Sequence, residues 1–228
     1  MSVNQIVARP AGRLAVSTRA LLLAGVIAPP AFIATFTIVG ALRPGYDPVR
    51  HFVSLLSLGA GGVVQILNFI ICGSLIAAFG VGLGRRWPAA GLARRVPQLI
   101  VAVGAALVAC GVFVGDPALG YPPGTPPGIP TEISWHGGLH YLGALVVFLG
   151  LASAIATSAR VAPLAASRRW AVYSLVSATI LLGGWLGGFL FTSQSGIVEN
   201  AGLLQRVAVV AGFQWLVATA LIQFRRPR

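Results

Sequence analysis

Between Arg50 and Arg85 the chain runs for 34 residues without a charged side chain. As one straight helix at 1.5 Å per residue that stretch would extend about 51 Å, well past the roughly 30 Å hydrocarbon core of a bilayer. The Gly59-Ala60-Gly61-Gly62 cluster is the natural joint. The expectation is a short interfacial or re-entrant segment over 51–58, followed by a span at about 63–83. Apolar runs at about 20–42, 96–115, 139–159, 170–191 and 203–224 are each close to the length that hydrocarbon thickness demands. The predicted fold is all-α: a polytopic transmembrane helix bundle of six spans, with residues 1–228 as a single integral membrane domain.

Composition excludes a soluble domain, since only 9% of residues are charged and mean hydropathy is +0.87, where soluble proteins carry about 25% charged residues. The net charge of +12 comes entirely from arginine on the basic side. In a soluble chain that excess would suggest nucleic acid, but here the arginines sit in clusters between the spans and read as topology, with no nucleic-acid partner. With the amino terminus in the cytoplasm, 13 of the 16 arginines fall inside and only Arg43, Arg50 and Arg206 outside. Both termini are then cytoplasmic, and the inner collar attracts anionic membrane lipids. No small-residue cleavage site follows Arg9, Arg13 and Arg19, so the first span is expected to be retained. Cys72 and Cys110 both lie inside apolar runs and form no disulfide or Cys-x-x-Cys pattern.

That topology gathers all four acidic residues and all three histidines on or near the outer side. Any site that needs a base, a general acid near neutral pH or a hard metal ligand is therefore external. The densest polar stretch is the extracytoplasmic loop 116–135, whose six prolines prevent a helix and favour a stiff, turn-rich segment lying as a lid or simply connecting two spans. His136 and His140 are spaced i,i+4, which puts both rings on one helix face if the fourth span begins by Trp135. With His51 as a third ligand they form a candidate zinc set, and Asp116 is the candidate catalytic base. The competing reading is imidazoles bonded to backbone or headgroups, since no His-Glu-x-x-His signature is present.

Gln65, Asn68 and Cys72 form a polar stripe on the second span, either bonding across helices or lining a passage for a ligand. Gln205 and Arg206 open the last span; Arg206 either pairs with Glu199 or Asp116 or clamps an anionic headgroup. Most tryptophans and tyrosines lie near span ends as anchors, whereas Trp185 and Trp215 are deeper and read as packing or as an aromatic wall. Gly80/Gly84 and Gly184/Gly188 read as close helix contacts.

The chain resembles the bacterial and archaeal membrane family catalogued as domain of unknown function 998 (DUF998). The resemblance rests on Ser54-Leu-Leu-Ser57-Leu-Gly59, on Gln65-x-x-Asn68-Phe69 followed by Gly73, and on the loop from Gly115-Asp116-Pro117 through Gly120-Tyr121-Pro122-Pro123-Gly124-Thr125-Pro126. Gly137 to His140 and the Gln205-Arg206 pair complete it. It implies a multi-helix domain of the bacterial or archaeal plasma membrane without an established activity. A looser resemblance, in residue types only, is to the membrane hydrolases that include alkaline ceramidases and adiponectin-receptor-like proteins, which use a serine, an aspartate and three histidines around zinc. Ser54, His51, Asp116, His136 and His140 are the matching types, although those proteins have seven spans and carry the paired histidines in the last one.

Three functions follow as expectations. The first is binding of a lipid or small amphiphile in an outward-facing polar pocket, using Ser54, Gln65, Asn68, Tyr121, Gln205 and Arg206, or assistance to envelope assembly. The second is zinc-dependent hydrolysis of a lipid-linked substrate. The third is a small transporter, left open by a three-plus-three arrangement of spans.

Overall fold

The computed structural model describes residues 17–87, 90–161, 167–193 and 200–226. Six helices are long and apolar enough to cross a membrane: α1 (Thr18–Leu42), α2 (Gly62–Gly84), α3 (Arg95–Val112), α4 (Trp135–Val161), α5 (Arg168–Ser193) and α6 (Ala201–Arg225). A 3-10 turn over Val53–Ser57 precedes α2, and another over Gly91–Arg94 leads into α3. The break in the long uncharged stretch falls where the glycines are: Gly59 and Gly61 adopt φ of +67° and +83°, a region open to glycine, and α2 starts at Gly62.

The helices form a ring in chain order, each packed on the next, with α6 returning to α1. Their outward faces carry exposed Leu, Ile and Val, such as Ile38, Leu67, Ile71, Leu142 and Val176, which is the surface expected against lipid. Small residues bring neighbours close. A Cβ on Gly104 would lie 2.4 Å from the Ala77 nitrogen, and one on Gly184 would lie 2.7 Å from the Leu204 carbonyl. Gly80 meets the backbone of α3 in the same way, so these glycines serve packing.

Alternation of direction places every described arginine except Arg43, Arg50 and Arg206 at one end of the ring. There Arg86 ties α2 to α6 by donating to the carbonyls of Gln223 and Arg226 (3.4 and 2.9 Å), and Arg19 lies over the Phe224 ring at 5.0 Å. The opposite end, called the loop end below, carries Asp47, Asp116, Glu132 and the three histidines. Two helix limits depart from the predicted spans by more than two residues. Helix α3 stops at Val112 and α4 starts at Trp135, because side chains at the loop end terminate one and cap the other.

Candidate functional site

The segment 43–52 lies across the start of α6. Backbone N–H groups of Gly202 and Leu203, which have no acceptor inside their own helix, donate to the carbonyls of Arg50 and Val49 (3.1 and 2.8 Å). Gln205 accepts from the Val53 N–H at 2.7 Å and so caps the 3-10 turn. Arg206 donates to the carbonyls of His51 (2.9 Å) and Gly202 (3.0 Å) and to the Tyr46 hydroxyl. Its guanidinium thereby gathers three oxygens from two segments far apart in sequence. Glu199, one of its expected partners, lies outside the described residues.

Tyr46, His51 and Tyr121 form a triangle of rings, each pair of centroids 5.3 Å apart. His51 Nδ1 accepts from the Asp47 N–H at 2.8 Å, so the proton sits on Nε2, which donates to the Leu119 carbonyl at 3.1 Å. Burial lowers its pKa from the ordinary histidine value, against partly opposing effects of the Leu119 hydrogen bond and Asp47. Tyr46 is pushed up to about 12 by burial, which outweighs the neighbouring Arg206 charge, so the phenol stays protonated and donates to the carbonyls of His51 and Phe52. The proline-rich loop is folded: Leu119 and Gly120 donate to the carbonyls of Gly128 and Pro126, and the Leu119 side chain is fully buried.

The ends of α3 and α4 are locked to each other. His136 Nδ1 donates to the Val114 carbonyl (2.7 Å), and His140 Nδ1 donates to those of Cys110 and Phe113 (3.1 and 2.8 Å). The i,i+4 histidine pair thus satisfies carbonyls left over where α3 ends. In the other direction, Ser134 precedes α4 and its Oγ accepts from the Gly137 N–H (3.0 Å), the arrangement of an N-cap. Asp116 holds that serine with both oxygens, Oδ1 accepting from the hydroxyl (2.6 Å) and Oδ2 from the backbone N–H (3.0 Å). The carboxylate sits against the positive end of α4, and the missing side chain of Gly137 makes room for it: a Cβ there would lie 1.9 Å from Oδ2.

Beneath this platform is a cavity of about 340 Å³ to which all six helices, the first 3-10 turn and the proline-rich loop contribute. Its wall is mainly aromatic and aliphatic, with Phe148 and Trp185 stacked at 5.1 Å and 11°. Polar groups enter from Ser54, Asp116, His140, Tyr141 and Gln205. Because His140 spends Nδ1–H on carbonyls, Nε2 is left as an acceptor with no protein partner among the described residues, the tautomer a proton-accepting group requires.

DUF998, described as a protein of unknown function, matches residues 26–222. The chain belongs to the DUF998 family. No curated protein and no solved structure matches it.

In this DUF998 protein the predicted site residues separate into two groups. Ser54, Asp116, His140 and Gln205 meet at the cavity. His51, His136, Tyr121 and Arg206 do not line it, being fastened to carbonyls and rings of the platform. Gln65 and Asn68 also lie away from it. Asn68 donates to the Phe32 carbonyl of α1 (3.1 Å) and to Gln65 (3.3 Å), and Cys72 donates to Asn68 (3.4 Å), so the stripe joins helices. The zinc set does not fit: no three His, Cys, Asp or Glu side chains group for a metal among the described residues. His51 has its Nδ1 lone pair and its Nε2 proton both engaged. Tyr141 and Trp185 are cavity residues that position near a span end and depth in a span do not distinguish from anchors and packing.

Proposed function

We propose that this DUF998 protein binds a lipid or small amphiphile drawn from the membrane, the chain of the ligand entering the helix ring and its polar head resting under the proline-rich loop. The observation that carries the reading is the cavity itself. At about 340 Å³ it falls within the roughly 300–1,000 Å³ of small-molecule sites, and it has their usual make-up of an apolar wall with a few converging polar groups. Its position within the ring suits a ligand that is already dissolved in the bilayer.

The loop end faces outward in this reading, since the arginine-rich end follows the positive-inside rule, and the membrane is a bacterial or archaeal plasma membrane. Single cysteines at Glu132 and at Gly91, on opposite ends of the ring, test the orientation with a membrane-impermeant maleimide on intact cells. Labelling at Glu132 alone is expected, and labelling at Gly91 alone would reverse it. The binding reading is tested by organic extraction of protein purified in detergent, comparing wild type with Ala144→Phe, which projects a ring from α4 into the cavity. A chain-bearing compound retained by wild type and lost from the variant is expected; equal retention by both would defeat the assignment to this cavity.

A further inference from the structure

Resting on the binding reading above, we infer that the head of the bound amphiphile is a hydrogen-bond donor without negative charge, a hydroxyl or a protonated amine, held between Asp116 and His140. The cavity wall contains one carboxylate and no arginine. Arg206, the cation nearest in sequence to a cavity residue, has turned to the carbonyls of His51 and Gly202 and to the Tyr46 hydroxyl. Arg43 is likewise engaged with the Leu58 carbonyl (3.0 Å) and the Tyr121 hydroxyl.

An anionic head would meet Asp116, which already occupies the positive end of α4, in an apolar enclosure with no cationic side chain in its wall, an arrangement that costs far more than the same pair in water. A donor finds the opposite. Each Asp116 oxygen has one bond from Ser134 and keeps a further lone pair, and His140 Nε2 has its lone pair uncommitted. Ser54 and Tyr141 hydroxyls accept as well as donate, and the Gln205 amide nitrogen is the remaining donor, enough for a second bond to a hydroxyl oxygen but not for balancing an anion.

The test uses three undecyl chains brominated at the far end and bearing a hydroxyl, an amine or a carboxylate head, titrated into detergent-solubilised full-length protein at about pH 8, where the amine is protonated and the carboxylate ionised. Bromine quenches Trp185, whose share of the signal is the difference between wild type and Trp185→Phe. Saturable quenching by the alcohol or the amine at concentrations at least about tenfold below those needed for the carboxylate is expected. Whichever of the two binds tighter identifies the head. In Asp116→Asn the amine is expected to lose affinity by about tenfold while the alcohol changes little. A carboxylate that binds as well as both others would overturn the donor head and leave chain binding intact. No Trp185-specific quenching by any of the three would instead overturn the binding reading on which it rests.

Discussion

His51 Nε2 holds the Leu119 carbonyl at 3.1 Å, joining the segment after α1 to the first part of the proline-rich loop 68 residues later. Nε2 can donate to that carbonyl in either charge state, but the ring must be neutral for Nδ1 to accept from the Asp47 N–H at 2.8 Å, so protonation would break that second bond. Tyr46 and Tyr121 face the imidazole, and Asp47, Arg50 and Arg206 are the charges that act on it. Its folded-state pKa lies below the ordinary value of about 6.5, so the unfolded chain binds more protons between the two. Stability from this group is complete above about pH 6.5 and is lost as pH falls through the folded-state value. The unfolding midpoint in detergent is expected to drop from about pH 7 to pH 5, with a shallower slope in His51→Gln. An unchanged slope would show that His51 is not the titrating group.

Ser134→Ala removes the cap of α4 together with one of the two bonds to Asp116, and a loss of about 1–2 kcal/mol is expected. Gly137→Ala is expected to cost more, about 2–3 kcal/mol, since its methyl group would occupy the carboxylate's place. Thermal unfolding of the two variants in the same detergent ranks them. A Gly137→Ala protein as stable as wild type would mean that Asp116 does not seat against this helix.

The six spans were legible because hydrocarbon thickness sets a length that apolar runs either meet or miss, and the joint at Gly59–Gly62 because glycine most readily takes the positive φ values found at Gly59 and Gly61. The site was legible in part. Spacing placed His136 and His140 on one face of a helix, but a ring's partner comes from another helix, and the carbonyls at the end of α3 leave no mark in sequence. Gln65, Asn68 and Cys72 likewise showed a stripe without showing that it faces α1 and not the cavity. Arg206 has an acidic residue nearby in sequence, yet its described partners are two carbonyls, one of them 155 residues earlier in the chain, the Tyr46 hydroxyl and the faces of the Phe36 and Tyr46 rings. Isolated charges at a membrane-protein end are satisfied by whatever folds over them, and that is a property of the loops.

Arg206→Met is expected to destabilise by about 3 kcal/mol, leaving the His51 and Gly202 carbonyls and the Tyr46 hydroxyl short of a shared donor. Arg206→Lys is expected to recover only part of this, because an ammonium on a flexible stem does not span three oxygens as a planar fork does. If Arg206 were instead a headgroup clamp, both variants would keep wild-type stability and lose ligand. Unfolding midpoints measured with and without added amphiphile separate the two roles.

Gln65 and Asn68 look equivalent on their stripe and are expected to respond oppositely to loss of polarity. Asn68 uses its amide nitrogen on the Phe32 carbonyl and its oxygen on the Cys72 thiol, so Asn68→Leu removes bonds to both neighbours, a loss of about 1–3 kcal/mol. Gln65 is completely buried and its amide nitrogen has no partner, while its oxygen makes only the 3.3 Å contact with Asn68. An unpaired amide nitrogen in an apolar interior is itself unfavourable. Gln65→Met, close in volume, therefore relieves one unsatisfied donor for the loss of one long hydrogen bond, and is expected to leave stability within about 1 kcal/mol of wild type or to raise it. Neither side chain lines the cavity, so both variants should retain bound amphiphile while they remain folded. Thermal unfolding paired with organic extraction checks both expectations, and loss of ligand from a stable Gln65→Met protein would return this stripe to the binding site.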